Sequence, residues 1–275
     1  ESIKRAGIRR VFVGCTDPNP LHAGRAYPIL EAAGIEVHHG IREAECRHLI
    51  RAFVRAHLQG LPWVTLKLAT SLDGRIADAE GRSRWISGPA ARERVQALRR
   101  EADAILVGSG TARLDNPGLR PDPAAGRNPW RIIPDRPGLL PESLAVFTDA
   151  HRQRTLCLLG PEASASRRDW LTQQGVVWME APTRNGHFDW PHILPSLAER
   201  GIQHLLCEGG GQLAAALLRQ QLVQELHWIR APLLLGSGGR PAVDFTTALA
   251  DAPRFTPHAG ERLGDDVWTT FFLAS

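Results

Sequence analysis

From residue 63 onward the chain alternates short apolar runs with segments of helical spacing, and few folds accept that order. The runs lie at 64–69, 104–107, 131–133, 155–159, 176–179, 204–207, 225–229 and 267–273. Helical spacing appears between them at 90–102, 166–174, 191–200 and 212–220. In the first helix Ala91, Val95, Leu98 and Ala102 keep one phase, with Ser87 as the expected cap. Strands joined through helices close most simply as parallel neighbours. The pattern therefore predicts an α/β domain with a mostly parallel central sheet and a late antiparallel edge. Residues 117–143, rich in Pro and Gly, form a long excursion of the kind that often carries function.

The first 60 residues read differently. "GIRRVFVGCTDPNPLHAGRAYPILEAAGIEVHHG" (7–40) gives a strand at 11–13, a turn, a helix carrying Ile29, Leu30 and Ala33, and a second strand at 35–37. Asp17-Pro18-Asn19-Pro20 can be neither helix nor central strand, and Gly34 suits a helix C-cap. A helix through 43–58 follows, with Ile50, Phe53 and Val54 on one face, and Gly60-Leu61-Pro62 ends it. So short a stretch makes a poor core alone, and a boundary is expected between residues 59 and 60.

Composition excludes some classes. At 43% hydrophobic and 23% charged, the chain is not of the disordered kind. Its net charge of +4 comes from scattered arginines rather than a basic block or tail. That argues against nucleic acid and suits a phosphorylated small ligand. No apolar run reaches the roughly 18–20 residues that cross a bilayer, and the start does not resemble a signal peptide. A cytoplasmic protein without a membrane partner is expected. Cys15, Cys46, Cys157 and Cys207 are widely spaced and read as buried reduced thiols. The chain opens on Glu1 and its one methionine is Met179, so further residues are expected upstream.

Three stretches could carry chemistry. In "ADAILVGSGTARLDNPGLR" (102–120) a strand runs into Gly108-Ser109-Gly110-Thr111, either a plain turn or a place where backbone amides approach an anion. In "HLLCEGGGQLAAALL" (204–218) a strand meets Glu208 and three glycines before a small-residue helix. Bare backbone there suits either a diphosphate over the amides or a tight strand–helix turn. In "LKLATSLDGRIADAEGRSRWIS" (66–87) Lys67 lies within an apolar strand. It must snorkel outward or face a site, because an unpaired buried ammonium is costly. Asp73-Gly74 is a turn signal, while Ser83, Arg84 and Trp85 pair donors with an aromatic surface that is either core or ligand contact. No nucleophile–base pair and no metal-ligand spacing can be read. A cleft with glycine turns, carboxylates and arginines suits a nucleotide cofactor that carries the redox chemistry itself.

"LKLATSLDGRIA", "GRSRWISGPAAR", "LRREADAILVGSGTARLDNPGL", "LLCEGGGQLAAALL", "LVQELHWIRAPLLLG" and "LGDDVW" together resemble the reductase domain of the bifunctional riboflavin-biosynthesis deaminase–reductases. The resemblance runs in order from about residue 60 to the end. It implies a dihydrofolate-reductase-like fold over 60–275 and NADPH-dependent reduction of 5-amino-6-(5-phosphoribosylamino)uracil to its ribityl counterpart. It further implies cofactor contacts at Ala69, Trp85, Thr111, Asp115 and Gly210, Gly211, Gln212, Leu213, Ala214, Ala215 and Ala216. Substrate contacts are implied at Ser83, Arg99, Leu119 and Glu208, with Arg99 and Ser83 on the phosphate. Lys67 is added as a polar group facing the reacting ribose, so Lys67, Asp115 and Glu208 are the candidate catalytic residues.

Two departures from the family pattern stand out. Asp122 occupies a position where an arginine is usual, so Arg120 or Arg127 is the expected replacement. The turn at 209–211 is also richer in glycine. Residues 1–59 resemble the C-terminal part of the family's cytidine-deaminase-like domain without its zinc motif. Zinc is therefore assigned only to a deaminase part absent from this chain, and the metal set here is empty. A homodimer or higher homo-oligomer is implied, with "LHWIRAPLLLG" as an interface strand. Two alternatives remain open: a related reductase of another pteridine or pyrimidine, and an inactive nucleotide-binding module that partners a deaminase.

Overall fold

Two short parallel strands, β1 (Arg10–Val13) and β2 (Glu36–His39), organise the first 62 residues, flanked by α1 (Ser2–Arg5), α2 (Ala26–Glu31), α3 (Glu43–Leu49) and α4 (Arg51–Gln59). This computed structural model describes residues 1–122 and 128–274, and a second unit begins at Trp63. The helix expected over 43–58 is two helices, because Ile50 leaves the helical region at φ −98°, ψ 13°. The break is a kink, since the amides of Ile50 and Val54 still donate to Cys46 and Ile50 four residues back. In this unit only Ile35 and Pro62 are buried, and Cys15 and Cys46 are half-buried rather than buried.

The second unit contains β3 (Trp63–Thr70), β4 (Arg75–Ala77), α5 (Pro89–Glu101), β5 (Ala104–Leu106), α6 (Ser109–Asp115), β6 (Trp130–Pro134), α7 (Ala145–Thr148) and β7 (Thr155–Leu159). After these come α8 (Ala165–Gln173), β8 (Val177–Glu180), β9 (Thr183–Arg184), β10 (His187–Phe188), α9 (Trp190–Glu199) and β11 (His204–Cys207). It closes with α10 (Gly211–Arg219), β12 (Glu225–Arg230), β13 (Arg240–Pro241), β14 (Phe255–Leu263) and β15 (Asp266–Leu273).

Nine of the described strands form one sheet in the order β14-β15-β12-β3-β11-β5-β6-β7-β8. From β12 to β8 every neighbouring pair is parallel, and only β12–β15 and β15–β14 are antiparallel. This is the α/β, mostly parallel sheet with a late antiparallel edge that the alternation predicted. Strands β5, β7 and β11 are buried at every position, as parallel strands covered on both faces must be. Ala91, Val95 and Leu98 of α5 pack there against Ile105, Leu206, Ile229 and Trp268.

Four expectations are corrected. Gly108-Ser109-Gly110-Thr111 is the cap and first turn of α6, not a plain turn. The N-cap of α5 is Gly88, whose amide donates to Asp266 Oδ2 at 2.7 Å, and Ser87 is buried ahead of it without capping. Strand β14, polar and almost wholly exposed, carries no apolar signal and was not anticipated. Within the segment 226–236, β12 offers no free strand edge to a partner, because it already has β15 on one edge and β3 on the other.

Buried charge ties the two described parts of the excursion, 117–122 and 128–143, to the fold. Arg131 is wholly buried and reaches Asp149 with two hydrogen bonds, 2.6 and 3.0 Å, and the carbonyls of Gly118 and Val146 with two more. Burial raises the Asp149 pKa, but Arg131 outweighs it and holds the carboxyl below its usual range. Removing one member of such a pair strands the other in a dry interior. Asp149→Ala should cost about 3 kcal/mol, read as a lower urea midpoint at unchanged slope, and adding Arg131→Met should return part of it.

Candidate active site

Parallel strands leave their C-terminal ends on one edge of the sheet, where helix N-termini also collect. Along that edge, β3 supplies Lys67 and Ala69, β11 runs into Glu208, β5 runs into Gly108, and β6 leads to Arg136. A cleft of about 1760 Å³ opens there.

At its floor Arg99, near the end of α5, grips Glu208. Nε donates to Oε1 at 2.6 Å and Nη2 to Oε2 at 2.8 Å, with the side chains 18% and 9% exposed. Such a bidentate charge-assisted pair fixes both groups. Burial opposes ionisation of Glu208, yet Arg99 and then Lys67 outweigh it and keep its pKa below the usual value. The Lys67 side chain forms no hydrogen bond to any described residue and lines the cleft, so it faces the site rather than snorkelling away. Burial lowers its pKa, partly offset by Glu208 and reinforced by Arg99.

Two of the three glycines answer to packing. A β-carbon at Gly209 would lie 2.5 Å from the amide nitrogen of Gly108, and one at Gly211 would lie 2.5 Å from the carbonyl oxygen of Pro241. Gly210 has room, its nearest neighbour being Thr111 Oγ1 at 3.4 Å. The Gly210 amide donates to that hydroxyl, and no side chain caps α10. The first amides of α10 therefore have no intrahelical partner, and Gly211, Gln212 and Leu213 line the cleft. That uncapped turn is a cradle for an anion and fits a dinucleotide's diphosphate.

The opening wall is built from the segment after β3. Asp73 accepts from Ser71 Oγ and from the amides of Leu235 and Gly236 at 2.6, 3.1 and 2.7 Å, which brings its pKa down to about 2. This corner joins the chain after β12 to the segment that leads to Ser83 and Trp85. Ser83 Oγ donates to Asp115 Oδ1 at 3.4 Å, and Arg84 holds the Asp115 carbonyl. Trp85 is no core residue: it is 67% exposed, with the Arg92 guanidinium 4.6 Å from its ring centre.

Lys67, Ala69, Ser83, Trp85, Arg99, Thr111, Asp115, Glu208, Gly210, Gly211, Gln212, Leu213, Ala215 and Ala216 all line this cleft. Three predicted residues depart. Ala214 is wholly buried and turned into the core. Leu119 borders the cleft at φ 49°, but its side chain is core, leaving only backbone to face a ligand. Arg120 offers its carbonyl to Arg99 at 3.2 Å, while its exposed guanidinium interacts with Asp149. Arg127, the other expected replacement, lies outside the described residues. Sequence reasoning missed the far end of the cleft, formed by Arg136 and the β9–β10 hairpin. Its Asn185-Gly186 turn was a readable hairpin signal. Among the described residues no three His, Cys, Asp or Glu side chains converge as metal ligands do, and no helix is long and apolar enough to cross a membrane.

The family profile described as "RibD C-terminal domain" matches residues 62–269. The riboflavin biosynthesis protein RibD of Bacillus amyloliquefaciens is 35% identical over 274 residues, 98% of this chain and 73% of that protein. Acinetobacter baumannii RibD superposes with a TM-score of 0.85 at 31% identity, over 100% of this chain and 75% of its own. A diaminohydroxyphosphoribosylaminopyrimidine deaminase/5-amino-6-(5-phosphoribosylamino)uracil reductase from Thermotoga maritima gives 0.83 at 27% identity, over 99% and 74%.

The packing at the glycine turn sets a sharp contrast. Gly209→Ala should destabilise the chain by about 2 kcal/mol or more, because the obstructing atoms are backbone, whereas Gly210→Ala should shift the thermal midpoint far less. The ion pair sets a pH dependence. The folded pKa of Glu208 lies below its unfolded value of about 4.3, so its contribution is present above that pH and lost as pH falls through the folded value. Denaturation curves from pH 7 to 3 should show wild type losing more stability than Glu208→Gln.

Proposed function

This chain belongs to the RibD C-terminal domain family, and on that footing we propose that it is a riboflavin-biosynthesis reductase that converts 5-amino-6-(5-phosphoribosylamino)uracil to 5-amino-6-(5-phosphoribitylamino)uracil at this cleft, with NADPH as reductant. The observation that carries the reading is the Arg99–Glu208 pair beside an unpartnered Lys67, one strand from an uncapped helix start. Gly210–Leu213 would hold the cofactor diphosphate, and Ala69, Thr111 and Trp85 would border its nicotinamide half. When bound, NADPH supplies a hydride to C1 of the opened ribosylamine.

The remaining chemistry belongs to the chain. Reduction at C1 places negative charge on the atom doubly bonded to it, and a proton must reach that atom. Lys67 is suited to deliver it, because burial makes its ammonium a stronger acid than usual. Glu208, fixed by Arg99, accepts hydrogen bonds from ribose hydroxyls and holds the carbon in reach. Ser83, with Asp115 as its acceptor, borders the same pocket and would take part of the phosphate. Residues 1–59 we assign to the C-terminal part of a deaminase-like domain without its zinc motif.

The test is NADPH oxidation with the deaminated phosphoribosylaminouracil. Folded protein that binds NADPH without turnover would sink the assignment. Lys67→Met should lower kcat by about 100-fold or more with little change in NADPH affinity. Glu208→Ala or Arg99→Ala should weaken substrate use more than NADPH binding; equal losses would count against these roles.

A further inference from the structure

Residues 231–244, which follow β12, carry only the two-residue strand β13, yet they stand directly behind the start of α10. A β-carbon on Gly211 would meet the carbonyl oxygens of Pro241 at 2.5 Å and Ala242 at 3.4 Å. The Asp244 amide donates to the Gly211 carbonyl at 3.4 Å. Since no side chain caps α10, backbone contacts must place its first turn. Thr111 holds the Gly210 amide, and the 231–244 segment backs Gly211.

That segment is itself hard to hold. It includes Gly236-Ser237-Gly238-Gly239, a run with large conformational freedom unless something fixes it. Its two ends are tied to the corner after β3. The Ala231 amide donates to the Thr70 carbonyl at 2.8 Å, the Leu72 amide to the Leu233 carbonyl at 2.8 Å, and the Ala242 amide to the Gly74 carbonyl at 3.0 Å. Between these ties the anchor is Asp73, whose Oδ1 and Oδ2 accept the amides of Leu235 and Gly236. Bonds to an ionised acceptor are the stronger kind.

The corner closes without that carboxylate. The Ser71 amide donates to the Arg75 carbonyl at 2.9 Å, the Gly74 amide to the Ser71 carbonyl at 3.1 Å, and the Arg75 amide to Ser71 Oγ at 2.9 Å. Ser71 Oγ, which donates to Asp73, has the Arg75 carbonyl as a second acceptor at 3.4 Å. Loss of the carboxylate therefore loosens 231–244 and spares the wall that carries Ser83. We propose that Asp73 is a positioning residue for the cofactor: by tethering 231–244 it fixes the start of α10, and so sets dinucleotide affinity while leaving the substrate side of the cleft unchanged. The proposal rests on reading Gly210–Leu213 as the diphosphate cradle, and adds what holds that cradle in place.

Three measurements on Asp73→Ala test it. Hydrogen exchange should quicken in peptides covering 208–216 but not in those covering 63–70. NADPH, followed by energy transfer from tryptophan to the nicotinamide, should bind about 10-fold more weakly, the scale of two anchoring hydrogen bonds. The ribityl product, followed by calorimetry, should bind within about 2-fold of wild type, as independent sites do. Asp73→Asn keeps one acceptor oxygen and should fall between wild type and Asp73→Ala. Unchanged exchange over 208–216, unchanged NADPH affinity, or equal losses for both ligands overturns the proposal and leaves the cofactor reading intact. Should Asp73→Ala not fold, Asp73→Asn carries the same test, and NADPH affinity equal to wild type overturns the proposal there. Folded wild type that binds no NADPH overturns the cofactor reading and the proposal together.

Discussion

The Arg99–Glu208 pair is the interaction on which the site depends. Glu208 stands where β11 stops being a strand, in a place too dry for an isolated carboxylate. Arg99 makes ionisation possible there, and in doing so ties α5 to the sheet edge and takes the carbonyl of Arg120 as a further acceptor. Lys67 then stands beside a fixed negative charge, which partly offsets the burial that lowers its pKa. A polar floor of this kind costs stability, which the apolar packing of α5 against β5, β11, β12 and β15 offsets.

The backbone around that floor is equally constrained. Gly209 lets the turn after β11 touch the turn after β5, and Gly211 lets α10 start against the carbonyl of Pro241. Only Gly210 is left with space, so the amides that face the cleft are placed by contacts behind them. The glycines therefore serve two purposes: outer two bring chain segments together, and the middle one leaves an opening.

The centre of the sheet was legible because β5, β7 and β11 are buried at every position and read as continuous apolar runs. Strand β14 was not, since an edge strand with polar residues on both faces carries no such signal. Helix α6 was hidden behind two glycines and a serine that also spell a turn. Within the site, the resemblance located Glu208 and Arg99 separately, but the bond between them could not be seen, because residues 109 positions apart leave no mark of contact in one sequence. Ala214 was swept up with its neighbours on α10, whose inward face only the packing reveals.

One buried side chain has a practical consequence. Cys207 immediately precedes Glu208, and burial pushes its thiol up to about 12. At neutral pH it stays in the unreactive thiol form. Cys157, on β7, is raised by the same cause. Alkylating reagents and mild oxidants are therefore directed to the half-buried Cys15 and Cys46 in the first 62 residues. Labels can be hung on that unit while the strand beneath the cleft floor keeps its native sulfur.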